Sequence, residues 1–150
     1  MKIDEFKKII ALAVKSEIEA FDFYTAAAAK VTDANLKSIF QDLAREEKGH
    51  REYLEKLTTQ VQPGSLDGAQ DYRIAESVSK PKLSVTMKPA DAMALAMKNE
   101  EEAMAMYTEL AKVSKDNDQK AMFESLARME QGHKTRLEDI YTNMAFVEAW

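Results

Sequence analysis

The stretch LAREEKGH at residues 43–50 returns as LARMEQGH at residues 126–133. His50 and His133 are the chain's two histidines. Each follows a glutamate by three positions, Glu47 or Glu130, and stands directly after a glycine, Gly49 or Gly132. Sliding the chain against itself by 83 positions extends the match in both directions. Residues 11–55 and 94–138 then share 21 identities in 45 positions without a gap. The chain is two copies of one unit, so the fold has to be built from a repeated element.

Each copy reads as a helical hairpin. From Ile3 to about Lys30, apolar residues recur at helical spacing through Phe6, Ile9, Ile10, Ala13, Val14, Ile18 and Phe21. Val31-Thr32-Asp33 interrupts the pattern, and Asp33 is a suitable N-cap for the next helix. That helix is expected from about Ala34 to Val61, with Leu36, Ile39, Phe40, Leu43, Tyr53, Leu54 and Leu57 facing inward. In the second copy Pro89 opens a helix to about Val113, and Asp116 caps a last helix over about Asn117–Asn143. A helix of 28 residues is about 42 Å long, and the connector at 62–88 is long enough to run that distance. The expected fold is all-α. It is a ferritin-like four-helix bundle in one domain: hairpin 3–61, crossover 62–88, hairpin 89–143 and tail 144–150.

The spacing of the hairpins places the acids. Glu17 and Glu47 each lie 15 residues from Thr32, and Glu100 and Glu130 each lie 15 residues from Lys115. In antiparallel hairpins all four stand about 22 Å from their turns, near mid-helix, so inverting one hairpin keeps them level. Within each Glu-x-x-His the i, i+3 spacing puts both side chains on one face. Glu17, Glu47, His50, Glu100, Glu130 and His133 therefore converge as four carboxylates and two imidazoles. Buried without counter-charge, four carboxylates would resist folding, whereas two divalent cations balance them. Oxygen and imidazole donors suit iron or manganese, and zinc also fits. One Glu from each of two helices and Glu-x-x-His from each of the others is the general ligand pattern of di-iron carboxylate bundles.

Composition narrows the remaining classes. A net charge of -5 disfavours nucleic acid and anionic membranes as partners. With no cysteine, disulfides, thiolate sites and thiol nucleophiles are excluded. The segment MKIDEFKKII lacks the apolar core of a signal peptide, and no apolar run reaches membrane-spanning length, so a cytoplasmic protein is expected. Tyr24 and Tyr107, seven residues after Glu17 and Glu100, are either hydrogen-bond donors to ligand carboxylates or plain core residues. Gly49 and Gly132 suggest tight packing or access space beside the ligands. Met93, Met97, Met104 and Met106 read as core filler. Arg45 and Arg128 are expected in solvent or paired with surface acids. Glu19, Glu46, Glu101 and Glu102 are expected to point away from the cluster.

The doubled pattern resembles the rubrerythrins of the ferritin-like superfamily. Its elements are Glu17, Ala20 and Tyr24, repeated as Glu100, Ala103 and Tyr107, each followed by L-A-x-x-E-x-G-H. The resemblance implies two iron ions, with Glu47 and Glu130 as bridging catalytic carboxylates, Glu17 and Glu100 terminal, and one histidine per side. It also implies reduction of hydrogen peroxide by the diferrous centre, and a homodimer. Two departures qualify it. Without cysteine there is no rubredoxin domain, so electrons must come from an external donor such as a rubredoxin-like protein. A carboxylate found in rubrerythrins one turn after the third-helix glutamate is replaced by Ala103, which brings the set closer to a symmetric ferroxidase centre. Three functions follow as alternatives: a peroxidase, a ferroxidase or iron-handling protein that uses O2, and a bundle whose metal is purely structural. For any histidine-ligated metal, affinity is expected to fall as pH drops through about 6.

Overall fold

The computed structural model describes residues 3–60, 82–143 and 150. Four helices carry the fold: α1 (Ile3–Lys30), α2 (Ala34–Gln60), α3 (Pro89–Val113) and α4 (Asn117–Asn143). No strand occurs among the described residues. Most of the expected crossover and tail, and the expected helix end at Val61, lie outside them.

The turns form where the sequence places them. The Asp33 carboxylate accepts the Leu36 N–H at 2.8 Å, and the Asp116 carboxylate accepts the Gln119 N–H at 2.9 Å. Each satisfies one of the donors that a helix start leaves open. At the start of α3 the proline at the first helical position needs no such partner, and Ala92 N–H already bonds the Lys88 carbonyl at 2.9 Å.

Helices approach most closely within each hairpin, α1 with α2 and α3 with α4. The core is split in two. One cluster joins Phe6, Ile9 and Ile10 of α1 and Leu54 and Leu57 of α2 to Leu110 and Val113 of α3 and Phe123 of α4. The other joins Ala27 and Val31 of α1 and Leu36 and Phe40 of α2 to Ala92 and Met93 of α3 and Leu137 and Ile140 of α4. Thus the turn of one hairpin packs against the open end of the other, and the hairpins are inverted. The end of α2 and the start of α3 lie at opposite ends of the bundle, which is why the connector is long. Leu83 and Trp150 close the second cluster, with the Trp150 ring 6.2 Å from Phe23.

Two details depart from the sequence reading. Ile18, expected inside, is 36% exposed, and Phe23 is buried instead. At that level of α1 the inward position belongs to Glu17, and Ile18 is turned about 100° off that face. Met93 is fully buried and Met97, Met104 and Met106 pack around the clusters as filler. Arg45 pairs with the exposed Asp42. None of the described helices is long and apolar enough to cross a membrane.

Candidate metal centre

Between the two apolar clusters lies a polar layer. Glu17, Glu47, His50, Glu100, Glu130 and His133 are the buried charged or polar residues of the described chain, each at most 4% exposed. Their potential ligand atoms form two overlapping groups, each within a 4.8 Å span. One group is Glu17, Glu47, His50 and Glu130; the other is Glu47, Glu100, Glu130 and His133. Glu47 and Glu130 belong to both. The imidazoles lie nearly parallel, 5.7 Å apart, with Nδ1 of each turned toward the acids.

The closest approaches cross between hairpins. His50 Nδ1 is 2.7 Å from Glu130, and His133 Nδ1 is 2.7 Å from Glu47. Within their own Glu-x-x-His pairs the histidines are farther, 3.9 Å from Glu47 and 3.7 Å from Glu130. The tyrosines cross as well. Tyr24 O–H donates to Glu100 Oε1 at 2.6 Å, and Tyr107 O–H donates to Glu17 Oε1 at 2.6 Å. Each tyrosine ring is stacked on a phenylalanine of its own hairpin, Phe40 or Phe123. The i+7 spacing puts each tyrosine two turns from the glutamate of its own helix; inversion of the hairpins brings it to the glutamate of the other.

Although His50 Nδ1 and Glu130 Oε1, like His133 Nδ1 and Glu47 Oε1, stand 2.7 Å apart, six buried polar atoms, one from each residue, make no well-aligned hydrogen bond. They are Glu17 Oε2, Glu47 Oε1, His50 Nδ1, Glu100 Oε2, Glu130 Oε1 and His133 Nδ1. Buried lone pairs without well-aligned donors are unfavourable, and six such atoms gathered at one level point to a group that binds lone pairs. The donor set is four oxygens and two imidazole nitrogens, and two divalent cations fit it in charge and in chemistry.

Without cations, protons take up the charge. Burial first, then the neighbouring acids, push Glu47 and Glu100 well above the usual carboxylate range. Burial works against ionisation of Glu130 too, but the proximity of Glu100, His133 and His50 outweighs it and holds Glu130 low. Burial alone would lower His50; closeness to Glu130 and Glu17 instead brings it up to about 9. His133 is displaced upward in the same way by Glu100, Glu130, Glu46 and Glu47. Burial foremost, with nearby acids, keeps Tyr24 and Tyr107 protonated far above their ordinary range, so each has its O–H to donate to a carboxylate.

Glu46 and Glu19 correct the sequence reading. Both were expected to point away. Glu46 Oε2 lies 2.6 Å from His133 Nε2 and accepts a hydrogen bond from Arg136 at 2.7 Å. Contact with His133, aided by Arg136 against partial burial, brings Glu46 down to about 2. Glu46 is one residue off the inward face, but the His133 ring is long enough to present its far nitrogen there. The available signal was a paired break of the repeat, since Glu46 corresponds to Met129 and Arg136 to Tyr53. Glu19 lines a cavity of about 20 Å³ between α1 and α3, together with Ser16, Glu17, Ala20, Asn99, Glu100 and Ala103. Glu47 and Glu130 line it as well. It has room for about one molecule of the size of water. Glu101 stays outside and pairs with Lys134.

Neither glycine is tightly packed: a Cβ at Gly49 or Gly132 meets nothing within 4 Å. Gly49→Ala and Gly132→Ala are each expected to stabilise the protein by about 1 kcal/mol, roughly 2–4 °C in Tm for a chain of this size. Thermal unfolding of the metal-free variants checks this, and a lower Tm would show that something occupies the space.

A sequence model of the rubrerythrin family matches residues 8–141. Among solved structures, a hypothetical protein from Pyrococcus furiosus is 27% identical, with a TM-score of 0.70 over 95% of this chain and 94% of its own. A Thermotoga maritima protein described as a ferritin-like diiron-carboxylate protein is 19% identical, with a TM-score of 0.71 over 95% and 96% of the two chains. At that identity the likeness speaks to the fold. A search of curated proteins gave no match.

Proposed function

The chain belongs to the rubrerythrin family, and on that premise we propose that it is a di-iron protein that reduces hydrogen peroxide with electrons from a separate donor. The observation that carries the reading is the pair of overlapping ligand groups sharing Glu47 and Glu130, reached from a cavity sized for a very small molecule. Glu17 and His50 would complete one metal position, and Glu100 and His133 the other. When bound as a diferrous pair, the iron supplies two electrons, which with two protons convert one H2O2 into two waters.

The chain's own residues do the rest. Tyr24 and Tyr107 hold Glu100 and Glu17 by one oxygen each and leave the other for the metal. Such outer contacts fix ligand orientation and tune the metal. The apolar clusters on both sides keep bulk water from the layer. At the cavity, Ser16 and Asn99 occupy equivalent positions of the two repeats and offer polar groups to an entering oxidant. Ala20 and Ala103 leave it room. With no cysteine among these 150 residues to form a rubredoxin-type centre, a separate donor would return the electrons.

Ala103 also favours a second reading, a ferroxidase that uses O2. It stands where a further carboxylate would make the two halves unequal, and its repeat equivalent is Ala20. Stopped-flow absorbance of anaerobic Fe(II)-loaded protein, mixed with H2O2 and separately with O2, distinguishes the two. Oxidation by peroxide much faster than by O2 is expected. Faster oxidation by O2 makes the protein a ferroxidase. If neither oxidant reacts faster than with free Fe(II), the metal is structural.

A further inference from the structure

The two halves of the centre match in every proposed ligand and differ just outside them. On one side the far nitrogen of His133, Nε2, meets the Glu46 carboxylate at 2.6 Å, and Arg136 holds that carboxylate at 2.7 Å. On the other side Met129 and Tyr53 stand at the equivalent positions. There His50 Nε2 is buried and has no hydrogen-bond partner among the described residues. A carboxylate on the far nitrogen keeps the proton on Nε2 and turns the lone pair of Nδ1 toward the cluster. It also adds negative charge to the ring and makes it a stronger ligand. Arg136 is bonded to the same Glu46 oxygen as His133, so it fixes the carboxylate in place.

We infer that Glu46 and Arg136 are positioning residues that make the centre unequal, so that the position built by Glu47, Glu100, Glu130 and His133 takes the first divalent cation. The position with His50 fills second. The inference rests on the metal-centre reading and adds an order of loading that the ligand set alone does not contain. A symmetric set of six ligands becomes asymmetric through two residues that touch no metal.

Co(II) is a suitable probe because its visible absorbance reports each bound ion, and calorimetry at fixed pH gives the affinities. Metal-free wild type is expected to bind two ions in separate steps. Loss of an outer partner of a ligand histidine typically weakens metal binding by about 10–100-fold. Glu46→Met, which copies the other half, is therefore expected to weaken the first step by about that factor and bring the two steps together. Glu46→Gln keeps an acceptor for Nε2–H without the charge and should lose less. The double variant Met129→Glu, Tyr53→Arg builds the same pair beside His50 and should tighten the second step in the same range. Circular dichroism of the metal-free proteins establishes that each variant folds, and the double variant tests the inference even if Glu46→Met does not fold. The inference is overturned if wild type binds two ions without a split, or if Glu46→Met and Glu46→Gln weaken both steps equally. It is equally overturned if the variants leave both affinities within about twofold of wild type. Wild type that binds no Co(II) at all removes the metal-centre reading with it.

Discussion

Glu130→Ala and Glu47→Ala are each expected to abolish binding of both metal ions together. Glu17→Ala and Glu100→Ala should each weaken mainly one. The difference follows from position, since Glu47 and Glu130 belong to both ligand groups and the other two glutamates to one each. Removing a shared carboxylate takes a charge and a donor from both cations at once. It also takes from the histidine across the bundle the acid that stands 2.7 Å from its Nδ1. The loss should exceed the about 10–100-fold that removal of an outer partner produces. Folding should survive in the metal-free state. Glu47 is a buried carboxylate pushed to high pKa, chiefly by burial, so Glu47→Gln replaces a group that resists its surroundings and should leave Tm unchanged or higher. Calorimetric titration with Fe(II) or Co(II), beside thermal unfolding in chelator, measures both effects. If Glu130→Ala lost one ion and kept the other at wild-type affinity, the shared role would be wrong.

Metal-free and metal-loaded protein should respond to pH in opposite directions. The ordinary pKa of histidine is about 6.5, and that of His50 in the folded chain is about 9. Its contribution to stability is fully present below pH 6.5. Between 6.5 and 9 the unfolded chain gives up the proton while the folded chain keeps it, so stability falls as pH rises. The loss from His50 is on the order of 3 kcal/mol, about 6–12 °C in Tm. His133, Glu47 and Glu100, also displaced upward, act in the same sense. Glu130 and Glu46 are displaced downward, and their contributions are lost as pH falls below the ordinary carboxylate range, outside this window.

Cations require the same histidines neutral and the same acids ionised, so loading releases protons. Metal affinity should therefore keep tightening up to about pH 9, roughly tenfold per pH unit for each proton displaced. This moves the window upward from the value near 6 that unperturbed histidines would give. Tm of the chelated protein at pH 6.5, 7.5 and 8.5, with Co(II) affinity at the same three values, tests both arms. A chelated Tm that is flat or rises, or an affinity that levels off above pH 6.5, is incompatible with this account.

Much of this protein was legible in its residues because helices convert spacing into geometry. The 83-residue repeat implied two hairpins, Asp33 and Asp116 marked their turns, and equal distances from those turns put four glutamates on one level. Glu-x-x-His placed each histidine on the face of its glutamate. These are relations within one helix or across one short turn, where the backbone leaves little freedom. Contacts between hairpins are different, because they depend on how far apart the helices stand and how each is rotated about its axis. Only the tertiary structure decided that His50 meets Glu130 and His133 meets Glu47, and that each tyrosine bonds the glutamate of the opposite hairpin. It also decided that Glu46, off the inward face of α2, reaches the far nitrogen of His133 while Met129 stands at the equivalent place beside His50. The repeat determined a symmetric set of ligands; side-chain reach between inverted hairpins determined that the two histidines are held differently.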